Sequence, residues 1–121
     1  MGGEMGYAKK LEAQRIKKML DEERAELIEK VMQKPSFSLL PSGALWQTAL
    51  AMTLGAEKHV GDDFTKPDSG RTVNGEMNAA FRHYYMWRTG FTHDCETGLH
   101  PLAHAAARCL IACELALRTG E

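Results

Sequence analysis

From Ala8 to Gln33 the chain places Ile16, Met19, Leu20, Leu27, Ile28 and Val31 at helical spacing, with acidic and basic residues between them and no glycine or proline. This pattern predicts an amphipathic helix with a narrow apolar stripe. Acids and bases are evenly mixed on its polar side, so the stripe suits its own domain or a sister subunit better than a membrane surface. "KPSFSLLPSG" then reads as a connector, and Pro41-Ser42 marks the entry to a second helix, about Ser42 to His59. That helix is expected to bury Leu45, Ala49, Met52 and Ala56. "VGDDFTKPDSGRTVNG" follows, dense in Gly, Asp, Pro and Ser and longer than the usual connection in a compact domain, which makes it a candidate lid. "EMNAAFRHYYMWRTG" has no helix breaker before Gly90, the glycine expected just past a helix end, so a third and unusually aromatic helix runs from Glu76. After "FTHDCETGL", Pro101 stands at a first helical position, and the Ala- and Leu-rich run up to Gly120 predicts a fourth helix.

No strand signal and no repeat accompanies these helices. The expected fold is all-α, a compact four-helix bundle with an amphipathic N-terminal helix. Residues 1–33 form that helix, a candidate oligomer contact, and residues 34–121 form the domain that carries the chemistry. With 121 residues, 44% of them hydrophobic, the chain can build a single core, and an oligomer would help it.

The formal charge of −1 changes the choice of ligand. It offers no broad attraction for nucleic acid or an anionic membrane, so an anionic ligand must be held by a local cluster of cations, and a small phosphorylated molecule fits that better than a duplex. Three cysteines cannot all pair within the chain, and Cys109 and Cys113, one helical turn apart, are too distant to bond. A reduced, cytoplasmic protein is expected. The start "MGGEMGYAKKLEAQ" lacks the apolar core of a secretion signal, and no run of about 18 apolar residues predicts a membrane span. Gly6 also stands where a myristoylation signal wants Ser or Thr.

Candidate chemistry concentrates in "FTHDCETGLHPLAHAAA", Phe91 to Ala107. His100 at the helix entry and His104 one turn in can face one point, near a helix N-terminus that attracts phosphate. Asp94 and Glu96 present carboxylates to the same region. On the third helix Glu76 and His83 share a face, two turns apart; alone, His83 reads as a satisfied core histidine and Glu76 as a residue favoured by the helix dipole. Glu57, Lys58 and His59 close the second helix and precede Asp62 and Asp63, a cluster whose plain reading is surface charge. Together, Glu57, Glu76 and Asp94 fall at helix ends where a small bundle can aim carboxylates inward, with Lys58, Lys66 and Arg82 free to meet phosphate oxygens. Oxygen-rich ligands suit Mg²⁺ or Mn²⁺. A zinc site of His93, Cys95, His100 and His104 is the alternative, although it lacks a C-x-x-C element. The His93-Asp94 pair suggests a metal phosphohydrolase, but no later aspartate supplies its last ligand. No G-x-S-x-G and no glycine-rich phosphate loop is present, so activated water is the expected nucleophile.

In order, "KPSFSLLPSGAL", "LGAEKHVGDDF", "AAFRHYYMWRTG" and "DCETGLHPLAHAAARCL" resemble the phage dATP/dGTP diphosphohydrolase family, related to the MazG-like all-α nucleoside triphosphate pyrophosphohydrolases. The resemblance runs from about Lys34 to Leu117 and lies in the ordered set of motifs. It implies a helical bundle, divalent metal on inward carboxylates, and attack of water that cleaves a purine nucleoside triphosphate to monophosphate and pyrophosphate, in phages that replace adenine with 2-aminoadenine. Arg82-His83 matches the family's Arg-His on the middle helix, and Asp94, Glu96, Gly98, His100 and His104 match its acidic-Gly-His loop and helix. Glu57-Lys58-His59 matches an element that more often ends in Lys-Tyr. Asp63-Phe64 stands where the family tends to have Asn-Trp, and Gly90-Phe91 where it has Gly-Glu. The strict E-x-x-E and E-x-x-D pair of the MazG-like relatives is absent from the matching region, and Glu26-x-x-Glu29 reads as a solvated face.

The expected mechanism places one or two Mg²⁺ or Mn²⁺ ions on Glu57, Glu76 and Asp94, lowering the pKa of a bound water that attacks the α-phosphorus. Lys58, Arg82, His83, His100 and His104 offset the charge on the phosphate oxygens, and Glu96 orients the water. Trp46, Phe64, Tyr84 and Trp87 are the rings available to the purine. The expected assembly is a homodimer or tetramer, with neither nucleic acid nor membrane as partner. The rival reading is a non-enzymatic helical oligomer whose histidine loop holds a structural metal or a partner.

Overall fold

The computed structural model describes residues 2–58, 64–66 and 69–121, and the chain divides into two units, Met1–Leu39 and Leu40–Glu121. Four α-helices are present and no strand occurs among the described residues. The all-α expectation is therefore met.

The first unit consists of α1, Gly2–Gln33, and a short 3-10 turn at Phe37–Leu39. Helical spacing and the lack of an internal proline extend α1 beyond the predicted start at Ala8. Its apolar stripe, Ile16, Met19, Leu20, Leu27, Ile28 and Val31, is exposed, and pairs such as Arg15–Glu12 and Arg24–Asp21 link successive turns.

The second unit holds α2 (Ser42–Lys58), α3 (Val73–Arg88) and α4 (Pro101–Thr119), with α4 packed against both α2 and α3. Contact on two sides explains why α4 buries two sets of residues: Ala103, Ala107, Ile111 and Leu115 at intervals of four, and also Pro101, Ala105 and Ala112. Ala51, Ala79 and Ala80 supply the facing small side chains. A core this rich in alanine lets the helix backbones come close, so dispersion between well-fitted surfaces contributes more here than the transfer of large side chains.

The buried face of α2 is a correction. Thr48 and Ala51 are buried, whereas Leu45 is 41% exposed and Ala49 and Ala56 are exposed. An almost wholly apolar helix gives little guidance about which face turns inward, and α4 selects the small one. The polar atom this places inside is satisfied: Thr48 Oγ1 donates to Ala44 O at 2.7 Å.

The start of α3 is a second difference. The helix begins at Val73 rather than Glu76, because Thr72 serves as its N-cap and accepts a hydrogen bond from Gly75 N at 3.0 Å. A Cβ at Gly75 would lie 2.9 Å from Thr72 Oγ1, so the residue that reads as a helix breaker is what admits the cap. The far ends follow the sequence closely, with Gly90 at positive φ after α3, Pro101 opening α4 and left-handed Gly120 closing it. Much of the expected lid, and with it His59, Asp62 and Asp63, lies outside the described residues. No helix among the described residues is long and apolar enough to cross a membrane.

Candidate active site

The helices of the second unit enclose a cleft of about 340 Å³. One wall is apolar: Ala51, Met52, Leu54 and Gly55 of α2, Phe64 of the following connection, and Ala107 and Ile111 of α4. The other is polar, bringing Lys58 from α2, Arg71 from the α2–α3 connection, Arg82 and His83 from α3, Asp94, Glu96 and Thr97 from the α3–α4 loop, and His104 and Arg108 from α4. A pocket apolar on one side with convergent charged groups on the other is the usual form of a small-molecule site.

Behind the polar wall lies an ionic clasp. Arg71 Nη1 donates to Glu76 Oε1 at 2.9 Å and Arg108 Nη1 donates to Glu76 Oε2 at 3.0 Å, so each carboxylate oxygen has its own guanidinium. Glu76 is only 5% exposed. Its place in the first turn of α3 adds the favourable end of the helix dipole.

The α3–α4 loop is built around Asp94. Its Oδ1 accepts from Glu96 N and Thr97 N, both at 2.9 Å, and from Thr97 Oγ1 at 3.2 Å. Asp94 O accepts from Gly98 N at 2.8 Å and Asp94 N donates to Leu99 O at 2.7 Å, a tight turn that needs Gly98 at φ 76°. Thr97 Oγ1 also lies 2.6 Å from His104 Nε2. With the hydroxyl hydrogen directed to Asp94, His104 is the donor, which gives an ordered chain from His104 through Thr97 to Asp94. The His104 ring in turn stacks on His83, with centroids 4.8 Å apart and planes 20° from parallel.

These surroundings set the charge of two groups. Burial, with His104, Arg108 and Arg82 nearby, pushes His83 below its ordinary value, against an opposite pull from Asp94. Burial alone would raise the Asp94 carboxyl; the N–H groups of Thr97 and Glu96, the electrostatic influence of His104 and the Thr97 hydroxyl outweigh it and hold the group below its ordinary value.

Of the residues picked from sequence, Lys58, Arg82, His83, Asp94, Glu96 and His104 meet at the cleft. Lys58 Nζ pairs with Glu96 Oε1 at 2.5 Å across it. Glu57 sits on the exposed end of α2 and does not line the cleft, and Glu76 stands behind its two arginines. His100 is occupied as the N-cap of α4: its Nδ1 accepts from Leu102 N at 3.0 Å, and its own N–H donates to Gln47 Oε1 at 3.0 Å, tying α4 to α2. Among the described residues no three His, Cys, Asp or Glu side chains group closely enough to hold a metal ion. Of the four candidate rings, only Phe64 lines the cleft.

Three of the polar lining residues were not singled out in the sequence. Arg108 is one turn beyond His104 on the same face of α4, and Thr97 is three residues after Asp94, so both carried a local signal. Arg71 carried none.

A family model described as dATP/dGTP diphosphohydrolase, N-terminal, matches residues 25–121, a span that contains every lining residue of the cleft. The chain belongs to this family. No curated protein and no solved structure matches the chain. The dATP/dGTP diphosphohydrolase match bears out the resemblance carried by the four ordered motifs, and begins earlier than they do, within α1. Its description is that of a hydrolase acting on purine deoxynucleoside triphosphates.

Proposed function

We propose that the chain hydrolyses dGTP and dATP to the monophosphate and pyrophosphate, with the triphosphate lying in the cleft between α2, α3 and α4. The observation that carries this reading is the convergence of Lys58, Arg71, Arg82 and Arg108 on one cleft, in a chain whose formal charge is −1. Cations this concentrated in an otherwise balanced chain answer to a compact polyanion. The apolar wall, with Met52 and Phe64, suits the purine.

Phosphoryl transfer depends mainly on positioning and charge stabilisation. Arg82, Arg108 and Lys58 hold the phosphate oxygens, and His83, kept neutral by its burial, takes the proton of the attacking water. Glu96, steadied by Lys58, orients that water. Thr97 and Asp94 fix the His104 ring, and His104 fixes the face of His83. Attack at the α-phosphorus expels pyrophosphate.

The described side chains do not fit a resident divalent ion. Glu76 has both oxygens on guanidinium groups and Glu57 does not line the cleft, which leaves Asp94, with Oδ1 taken up by its own loop, and Glu96, paired with Lys58, as the cleft's carboxylates. In this reading Mg²⁺ or Mn²⁺ accompanies the triphosphate as part of the substrate, and no step is assigned to a protein-held metal. The reading extends to cytoplasmic control of purine deoxynucleotide pools, including dGMP supply in a phage that replaces adenine with 2-aminoadenine. It also extends to a homodimer or tetramer, supported by the exposure of Phe81, Tyr85, Leu110 and Leu117.

The test is product analysis. The full chain is incubated with each dNTP and Mg²⁺ or Mn²⁺, and nucleotides are resolved from pyrophosphate and phosphate. Monophosphate plus pyrophosphate from dGTP or dATP supports the reading. Survival of every dNTP, together with a metal-dependent change in thermal stability, would replace it with the non-enzymatic helical oligomer.

A further inference from the structure

We propose that Gly55 is a specificity-determining residue for the base: the purine of the substrate lies flat against the bare backbone of α2 at this position. The proposal rests on the reading of the cleft as a triphosphate site and deepens it, because it gives the base, as distinct from the phosphate chain, a defined seat.

Helix energetics give the first reason. Glycine within a helix is less favourable than alanine, since it loses more backbone freedom on folding. The usual reasons for a helical glycine do not apply to Gly55. It is not among the glycines with positive φ, and α2 runs three residues past it to Lys58, so it is not the residue that ends the helix. A Cβ placed on Gly55 would meet no neighbouring atom within 4 Å, so close packing of the helices does not exclude a side chain either. What remains is the close approach of a ligand to backbone.

Position gives the second reason. The inward face of α2 runs through Thr48 and Ala51, both buried, to Gly55, which is half-buried one turn on. Gly55 lines the cleft together with Ala51, Met52 and Lys58, its neighbours at helical spacing. Along this face the helix passes from apolar side chains, through bare backbone, to a cation three residues later. A nucleotide whose phosphates reach Lys58 lays its base over Gly55, with Ala51 and Met52 beyond and Phe64 on the same apolar wall. Gly43, the other glycine of α2, is equally open, but it is exposed in the first turn and does not line the cleft.

The experiment measures binding to the full chain by calorimetry in the presence of Mg²⁺. The probes are the α,β-methylene analogues of dGTP and dCTP, which resist cleavage at the α-phosphorus, and inorganic tripolyphosphate, which has no base. Gly55→Ala is expected to weaken the dGTP analogue about tenfold, the scale on which one intruding methyl group is felt in a fitted pocket. The dCTP analogue, with its smaller ring, loses less, and tripolyphosphate keeps its wild-type affinity. The melting midpoint of the variant, followed by circular dichroism, is expected to rise, because alanine favours the helix. Undiminished binding of the dGTP analogue, an equal loss for the dCTP analogue or for tripolyphosphate, or a lower midpoint overturns the role of Gly55. Failure of the wild-type chain to bind both the dGTP analogue and tripolyphosphate overturns the triphosphate site and this role with it. Wild-type binding of both with an unaffected variant overturns the role of Gly55 alone.

Discussion

Glu76 and Asp94 are both carboxylates of the helical unit from Leu40 to Glu121, and their surroundings differ in kind. Glu76 is buried and meets two guanidinium groups, one five residues before it and one 32 residues after it. Asp94 is partly exposed, and Oδ1 is held by N–H and hydroxyl donors two and three residues ahead of it. The first arrangement is charge against charge around a buried carboxylate, where the loss of one partner is costly to the others. The second is a local turn, where water can replace much of what is lost. A carboxylate shared between the entry of its own helix and an arginine of α4 ties elements together, and one held by its own loop shapes only that loop.

The sharpest way to break this contrast is to remove each carboxylate in turn. Glu76→Ala removes a buried carboxylate that two part-buried guanidiniums share and is expected to lower unfolding free energy by about 2–4 kcal/mol, read from urea denaturation followed by circular dichroism. Replacing Glu76 and Arg108 together by apolar residues of similar size should recover part of that loss in the same denaturation. Asp94→Ala should cost about 1–3 kcal/mol, the range for leaving donors unmatched, and should disturb chiefly the signals of residues 94–100 in amide hydrogen exchange.

Acid sharpens the contrast further. Asp94 titrates below its ordinary 3.8 in the folded chain, so its contribution is complete above that value and is lost as pH falls through the lower folded one. His83 is also depressed, from 6.5, which means the folded chain prefers the neutral ring: stability is full above 6.5 and declines as pH falls below it. Urea midpoints should therefore fall in two stages on acidification, and His83→Gln should erase the first stage and leave the second. The smallest effect is expected at the pair Lys58–Glu96, whose side chains are 58% and 65% exposed; Lys58→Gln should change stability by less than about 1 kcal/mol.

How much of this was legible follows the same division. Gly90, Pro101 and Gly120 marked helix ends because a positive φ or a missing N–H constrains the chain within a turn. Thr72 escaped notice because its cap depends on a glycine three residues on, which in a linear reading counts against a helix. His83 and His104 were separately visible as polar residues on helix faces, but that they stack, with Thr97 linking His104 to Asp94, depends on the packing of α3 against α4.

The sequence by itself determined the four helices, the apolar stripe of α1, the clustering of polar groups before α4 and the membership of a nucleotide-hydrolysing family. These rest on interactions spanning a few residues or on an ordered set of motifs. Tertiary structure alone decided that α2 turns Thr48 and Ala51 inward, that Phe64 rather than a tryptophan lines the cleft, and that Glu76 faces arginines. Arg108 is 32 positions from Glu76, and the choice of partner for a buried charge depends on which side chains packing brings within about 3 Å, a condition that no local pattern encodes.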